Sequence, residues 1–469
     1  MATASRASQT ENPQPLAVIP NRKKFARLTL WPLVAATFFM VSGGTYGTED
    51  IVHGAGYGRA ILILLLTPLL WSLPTAFMIG ELSSALPYEG GYYAWVRRAM
   101  GNFWGFQEAW LSLVASIFDM AIYPTLFVAY LTRMFPWFQE ANRGWWVAFA
   151  VVLACAALNI AGVKVVSLTS LWLFFALSAP FVAIVLIAPF EFGALANAVT
   201  KPTTSSVDIL GGLLICMWNY MGWDNASTIA TEVEKPQRTY PRAMLVAVAI
   251  VAISYVLPFA AMWMTGLKST AWETGSWAEV AGLVGGPLLR IGVVLGGVIS
   301  AFGMFNALVM SYSRLPLAMA QDGMLPGVFA KLQKKSNAPW VAILALAFCW
   351  AMCLGLGFAR LVTLDILLYG CSLLLEFVAL AVLRFREPDL PRPFRVPGGI
   401  FGAIAIGIPP MLLLGFSIIR SEHEQVWNMS SFEFGMILIA AGFVAYALNH
   451  LLKPQGWAVR VEHKPEPAA

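Results

Sequence analysis

Stretches of about twenty residues without a single Asp, Glu, Lys or Arg recur along the whole chain, which is the length that crosses a hydrocarbon core as helix. Windows 61–80, 145–163, 165–190, 243–267, 291–313 and 398–419 carry no formal charge. Weaker windows near 28–52, 103–134, 207–232, 338–359, 361–383 and 434–452 bring the expected total to twelve spans. Backbone polar groups inside lipid must be satisfied within the chain, and the alternating pattern of a membrane barrel is absent, so every span is expected to be helical. The expected fold class is therefore an all-α membrane protein.

Composition agrees. Of the 469 residues, 59% are hydrophobic and only 12% charged, a surface that water would not keep dispersed. The first 27 residues are polar and basic at Arg22, Lys23, Lys24 and Arg27. No small-residue cleavage site follows the apolar run behind them, so 1–27 reads as a cytoplasmic tail and 453–469 as another. With the N-terminus inside, 22 of the 30 Lys and Arg fall on the cytoplasmic side and 8 outside, as the positive-inside rule requires. The net charge of +5 thus reports topology and no nucleic-acid partner. The expected location is the cytoplasmic (inner) membrane.

Several chemistries find no support. Cys155, Cys216, Cys349, Cys353 and Cys371 all lie in apolar stretches and read as packing residues. Four scattered histidines offer no metal constellation, and neither a phosphate-binding glycine loop nor a nucleophile elbow is present. No metal or cofactor is expected. The partners expected are the bilayer, a small organic substrate and a proton.

Two spans are damaged, and a helix broken in lipid must line a cavity. The first carries Gly43, Gly44, Tyr46 and Gly47, followed at once by Glu49 and Asp50; the second carries Trp218, Asn219, Tyr220, Gly222, Trp223 and Asp224. Each break holds a Gly-x-acid triplet, and the breaks lie five spans apart. Five is odd, so the second copy enters the membrane from the opposite side. This predicts inverted repeats at 28–190 and 207–384, with 398–452 appended. Asp224 reads either as a substrate contact or as an N-cap of a second half-helix. Glu49 reads either as functional or as a first-turn acid on its own half-helix.

The third span adds a polar stripe, Glu108, Ser112, Ser116, Asp119 and Tyr123, spaced to share one face of a helix. An acid facing lipid is too costly, so this face turns inward. Asp119 becomes a candidate amine contact or proton carrier, with a buried interhelical hydrogen bond as the alternative. Glu81 reads as solvated or loop-bonded near the cytoplasm, and Asp365 as lying near the outer boundary.

Four further segments, in order, resemble the amino acid–polyamine–organocation transporters. They are Pro87 with Gly90-Gly91 and Trp95; Glu232 to Pro236 with Tyr240-Pro241-Arg242-Ala243; Ser313-Arg314 with Met319 to Pro326; and Arg386 to Gly398. The resemblance covers nearly the whole chain and implies the leucine-transporter (LeuT) fold, twelve helices in a five-plus-five inverted repeat with helices 1 and 6 discontinuous. Gly43-Gly44-Thr45-Tyr46-Gly47-Thr48-Glu49-Asp50, Trp110 to Pro124 and Trp218 to Asp224 resemble the polyamine-uptake and L-type-like branch. That likeness implies putrescine, spermidine or cationic amino acids, taken up with protons.

The chemistry of the breaks agrees with a cation. An amino acid carboxylate held on bare glycine amides would be repelled by Glu49 and Asp50, whereas an amine wants carboxylates and aromatic faces. Tyr46, Tyr123, Trp218, Tyr220 and Trp223 offer such faces or serve as packing, and Asn219 offers an amide oxygen or satisfies unwound backbone. Glu49 and Asp119 are the expected proton-coupling residues. Some proton-coupled relatives carry a lysine deep in the fifth span; here 165–190 has none, and Lys164 stands at its entrance. The expected function is a polyamine or cationic amino acid permease working by alternating access. A neutral amino acid permease or exchanger shares the same fold features. A transport-derived sensor and a membrane enzyme are the weaker rivals.

Overall fold

The computed structural model describes residues 29–87, 90–162, 169–198, 208–225, 227, 233–422, 424–426 and 428–452. Both expected tails, Tyr88 and Glu89, Lys164, Glu232 and the half-helix expected after Asp224 lie outside the described residues.

Among the described residues, the regular elements are helices and a two-residue antiparallel pair, β1 (Gln425–Val426) with β2 (Met429–Ser430). The chain runs α1 (Leu30–Val41), α2 (Glu49–Ala55), α3 (Tyr57–Thr67), α4 (Leu73–Ala85), α5 (Gly91–Met100), α6 (Asn102–Met134), α7 (Arg143–Ala161) and α8 (Thr169–Ile187). It continues through α9 (Ile209–Asn219), α10 (Pro236–Met264), α11 (Trp277–Gln321), α12 (Trp340–Met352) and α13 (Phe358–Arg386). The last helices are α14 (Gly399–Ala405), α15 (Ile408–Ser421) and α16 (Ser431–Leu452).

Among the described residues, nine helical segments are long and apolar enough to cross a membrane. The remaining apolar windows fold as short pieces: α1 has 12 residues, α9 has 11 and α12 has 13. The two windows read as broken are among these short ones.

Burial separates a centre from a periphery. The most apolar windows of α6, α11 and α13 are 72%, 67% and 67% buried, against 17% for α16, so the first three form the middle of the bundle. Helix α6 packs along both α11 and α13. The polar stripe explains its position: Glu108, Ser112, Ser116, Asp119 and Tyr123 are all buried, as an inward-turned face requires.

Local chemistry shapes the elements around the breaks. Pro68 and Pro74 each lack an N–H, and between them the helix widens to a π turn over Pro68–Ser72. That turn directs the Ser72 hydroxyl to the Tyr220 carbonyl at 3.3 Å, inside the second break. Helix α11 bends at Gly286, whose φ of 72° is outside the helical range.

The two ends of α6 lie about 50 Å apart at 1.5 Å per residue. At its start, Arg97 pairs with Asp322 at 2.5 Å and Arg98 with Glu387 at 2.7 Å. At its far end, Arg133 pairs with Glu273 at 3.0 Å and Glu279 at 3.5 Å. Glu81 is fully buried against Arg384, Arg392 and the Val396 amide, a loop-bonded position with no solvent contact.

Candidate functional site

The first break spans residues 42–48, between α1 and α2. Gly43 has φ +60°, and a Cβ there would sit 2.0 Å from the Met304 sulfur and 2.7 Å from the Ser300 hydroxyl, so only glycine fits the turn. The carbonyls released by unwinding find donors on neighbouring helices. Ser300 donates to the Gly43 carbonyl at 2.5 Å, Trp277 Nε1 to that of Thr45 at 3.1 Å, and Asn219 Nδ2 to that of Gly47 at 3.3 Å. A break at mid-chain is tolerable in lipid only with such compensation.

The second break follows α9. Gly222 takes φ +86°, and a Cβ there would lie 3.1 Å from the Met40 carbonyl, so the second break lies against the last turn of α1. The Asn219 carbonyl accepts from Tyr255 and the Gly222 amide donates to the Tyr369 hydroxyl at 3.4 Å. The Asn219 amide thus satisfies unwound backbone in the first break and the Ile215 carbonyl of its own helix at 2.8 Å, while Tyr255 satisfies the Asn219 carbonyl at the second.

Asp119 is the hub between them. Its Oδ1 accepts from Trp218 Nε1 and the Tyr123 hydroxyl, each at 3.1 Å, and its Oδ2 accepts from the Tyr312 hydroxyl at 3.1 Å. Three donors from α6, α9 and α11 thus converge on one buried carboxylate. Asp224 lies close by electrostatically and accepts from the Tyr369 hydroxyl at 2.7 Å.

Two of the donors to Asp119, Tyr123 and Trp218, also line a cavity with Ser42, Tyr46, Ser300 and Met304, among others. It measures about 10 Å³, roughly the room of one water. An organic molecule enters only when rings move aside. The Tyr46 hydroxyl has no partner among the described residues, and Gly296 leaves the space it occupies.

The other predicted residues fall behind this wall. Glu49 is fully buried at the start of α2, where one carboxylate oxygen accepts from the Tyr130 hydroxyl and, at 3.0 Å, from the Gly275 amide; the other has no partner among the described residues. Tyr130 stacks edge-on against Tyr46, so Glu49 reaches the cavity through two rings. Tyr220 turns away and donates to the Leu64 carbonyl at 3.0 Å, while Trp223 donates to the Tyr220 carbonyl at 2.7 Å. Gly44 and Gly47 belong to the first break, with φ of +109° and +81°.

Three contributors escaped the sequence reading, Tyr130, Tyr312 and Tyr369, and a fourth, Asp365, was given only a peripheral place. Asp365 is 1% exposed, within the field of Asp119 and Asp224, with neither oxygen partnered among the described residues. Its placement near the outer boundary is thereby corrected: α13 carries it into the buried centre. A signal existed. Asp365, Tyr369, Ser372 and Glu376 repeat the four-three-four spacing of the α6 stripe, and Tyr130 continues that stripe two turns past Tyr123.

Residues 34–443 match the amino acid permease family. The chain is 35% identical to a polyamine transporter of Oryza sativa subsp. japonica over 422 residues, covering 88% of this chain and 77% of that protein. It is 32% identical to a polyamine transporter of Arabidopsis thaliana over 439 residues, 92% of this chain and 87% of the other. A serine/threonine exchanger of Bacillus subtilis (strain 168) is 23% identical over 405 residues, 84% of this chain and 89% of the exchanger.

Proposed function

The chain belongs to the amino acid permease family of the amino acid–polyamine–organocation superfamily, and from that premise we propose that it carries polyamines or cationic amino acids by proton symport. It is a multi-pass membrane transporter, not an enzyme.

One observation carries the choice of a cation. Glu49, Glu108, Asp119, Asp224, Asp365 and Glu376 are each at most 4% exposed, and none has a basic partner among the described residues. The one buried base among the described residues, Arg384, is committed to Glu81. So much unpaired buried acid is strongly unfavourable unless protons or ammonium groups balance it. A substrate carboxylate would add to the excess, whereas an amine relieves it.

The site consists of the first break with Gly43, Gly44, Tyr46 and Gly47, the second with Trp218 and Asn219, and Asp119 and Tyr123 between them. Asp224 supplies charge from behind, and Tyr220 and Trp223 brace the second break. Glu49 and Asp119 are the groups that exchange the proton. The short apolar helices α1, α9 and α12 complete twelve spans with the nine long ones, arranged as inverted repeats at 28–190 and 207–384 and a final pair at 398–452. The five-span separation of the two Gly-x-acid breaks supports this. The lysine and arginine bias supports cytoplasmic tails in an inner membrane.

Transport proceeds by alternating access. Ion pairs close both ends of α6 here, and the cavity between them is water-sized. Opening either end separates one set of pairs and draws Trp218 away from Asp119, and an ammonium group then replaces the donors it loses. The decisive experiment is uptake of labelled putrescine into proteoliposomes with and without an inward-directed proton gradient. Accumulation that needs the gradient and is blocked by spermidine supports the proposal. Putrescine uptake that ignores the gradient removes the symport step. Absence of putrescine uptake, with leucine carried instead, would establish the neutral permease that the Bacillus exchanger favours.

A further inference from the structure

Helices α6 and α13 run antiparallel, and their register is set by a hydrogen bond between the Ser112 and Ser372 hydroxyls at 2.9 Å. Glu108 lies four residues before Ser112 and Glu376 four after Ser372, so the two glutamates stand level. Asp119 lies seven after and Asp365 seven before, so the two aspartates stand level in the same way. Each pair is separated from the other by eleven residues on both helices. Eleven residues return a helix to nearly the same face after three turns, about 16 Å along the axis.

The central site uses only the aspartate level. At the glutamate level, Ser372 donates to Glu108 Oε1 at 2.6 Å, and the Ser112 hydroxyl, 3.2 Å from the same oxygen and 2.9 Å from Ser372, gives its one proton to either. Among the described residues, Glu108 Oε2 and both oxygens of Glu376 have no partner, although both residues are fully buried. Asp224 accepts at 2.7 Å from Tyr369, which lies on α13 between Asp365 and Glu376, so its carboxylate stands between the levels. Buried acceptors without donors are rare in folded proteins and call for an explanation. Three empty carboxylate oxygens match the three N–H donors of one ammonium group.

We propose that Glu108 and Glu376 form a second amine subsite, which takes the distal ammonium of a linear polyamine whose near end lies at Asp119 and Asp365. Asp224 then faces its inner nitrogens. A diamine such as putrescine is too short to bridge the two levels, and a tetraamine such as spermine reaches both. This rests on the reading of the chain as a polyamine carrier and adds a ruler for polyamine length.

The test is the ratio of spermine to putrescine affinity, measured by calorimetry on purified protein in detergent. A charge-assisted contact of this kind makes the wild-type ratio about tenfold or more. Glu376→Gln and Glu108→Gln, which keep side-chain shape, each bring the ratio toward unity. Sodium, tested alone, produces no heat that depends on Glu376. A wild-type ratio near unity with putrescine still bound overturns the subsite and leaves the carrier reading intact. A ratio unchanged in both variants, or sodium binding abolished by Glu376→Gln, also overturns it. Absence of binding by every amine defeats the carrier reading itself.

Discussion

The indole nitrogen of Trp218 lies 3.1 Å from the carboxylate of Asp119, and through that bond the unwound end of α9 is fastened to the unbroken α6. Tyr123 and Tyr312 complete the fastening with hydroxyls from α6 and α11. A carboxylate held by neutral donors keeps its net charge, so it can hold a cation once any one donor withdraws.

Asp119→Asn keeps an acceptor oxygen for Trp218 but removes the charge. Putrescine uptake is expected to fall by at least about tenfold, since contacts to a charged group are worth about 1.5–3 kcal/mol. Detergent-solubilised protein should still elute as a folded species. Uptake at the normal rate by this variant would show that the amine does not meet Asp119.

Glu49→Gln separates coupling from binding. Glu49 stands behind Tyr46 and Tyr130, away from the cavity wall, and a glutamine oxygen still accepts from Tyr130 and the Gly275 amide. Exchange of internal for external putrescine should persist, while accumulation driven by a proton gradient disappears. If gradient-driven accumulation survives, the proton travels elsewhere.

Gly43→Ala tests the geometry of the first break. Two costs coincide there: a left-handed φ of +60° and a Cβ contact of 2.0 Å with the Met304 sulfur. The backbone term alone is about 1–2 kcal/mol. Melting in detergent should drop, and adding Met304→Ala should recover only the contact term. Full recovery in the double variant would show that the backbone conformation costs nothing.

Glu81 and Arg384 form the buried ion pair at the cytoplasmic end of the proposed topology, with 0% and 1% side-chain exposure. Glu81→Leu leaves Arg384 buried and uncompensated, a loss of about 3–5 kcal/mol. The double variant with Arg384→Leu should cost clearly less than the two single losses added together, measured by thermal unfolding. Simple additivity would mean that the pair is not coupled.

How far the site could be read from residues alone follows from periodicity. The stripe from Glu108 to Tyr123 announced a buried face on α6 because helical spacing is local and an acid in lipid is costly. The glycine clusters announced both breaks for an equally local reason: φ values such as +60° at Gly43 and +86° at Gly222 belong to glycine. Asp365 was misplaced because depth within a span depends on where α13 begins, and Gly357 starts it only a turn or two before that residue.

The apolar windows, the two interruptions and the inward face of α6 are properties of single helices, and the order of residues along the chain determines them. Which side chains meet is a different matter. Tyr130 reaching Glu49, Tyr312 reaching Asp119 from 193 positions away, and Ser112 meeting Ser372 across 260 all depend on how helices pack. Trp223 turns from the cavity and Trp218 toward it, although only five residues separate them, because the backbone between them is unwound. Helical periodicity no longer applies to an unwound segment, so only the surrounding helices decide where its side chains point.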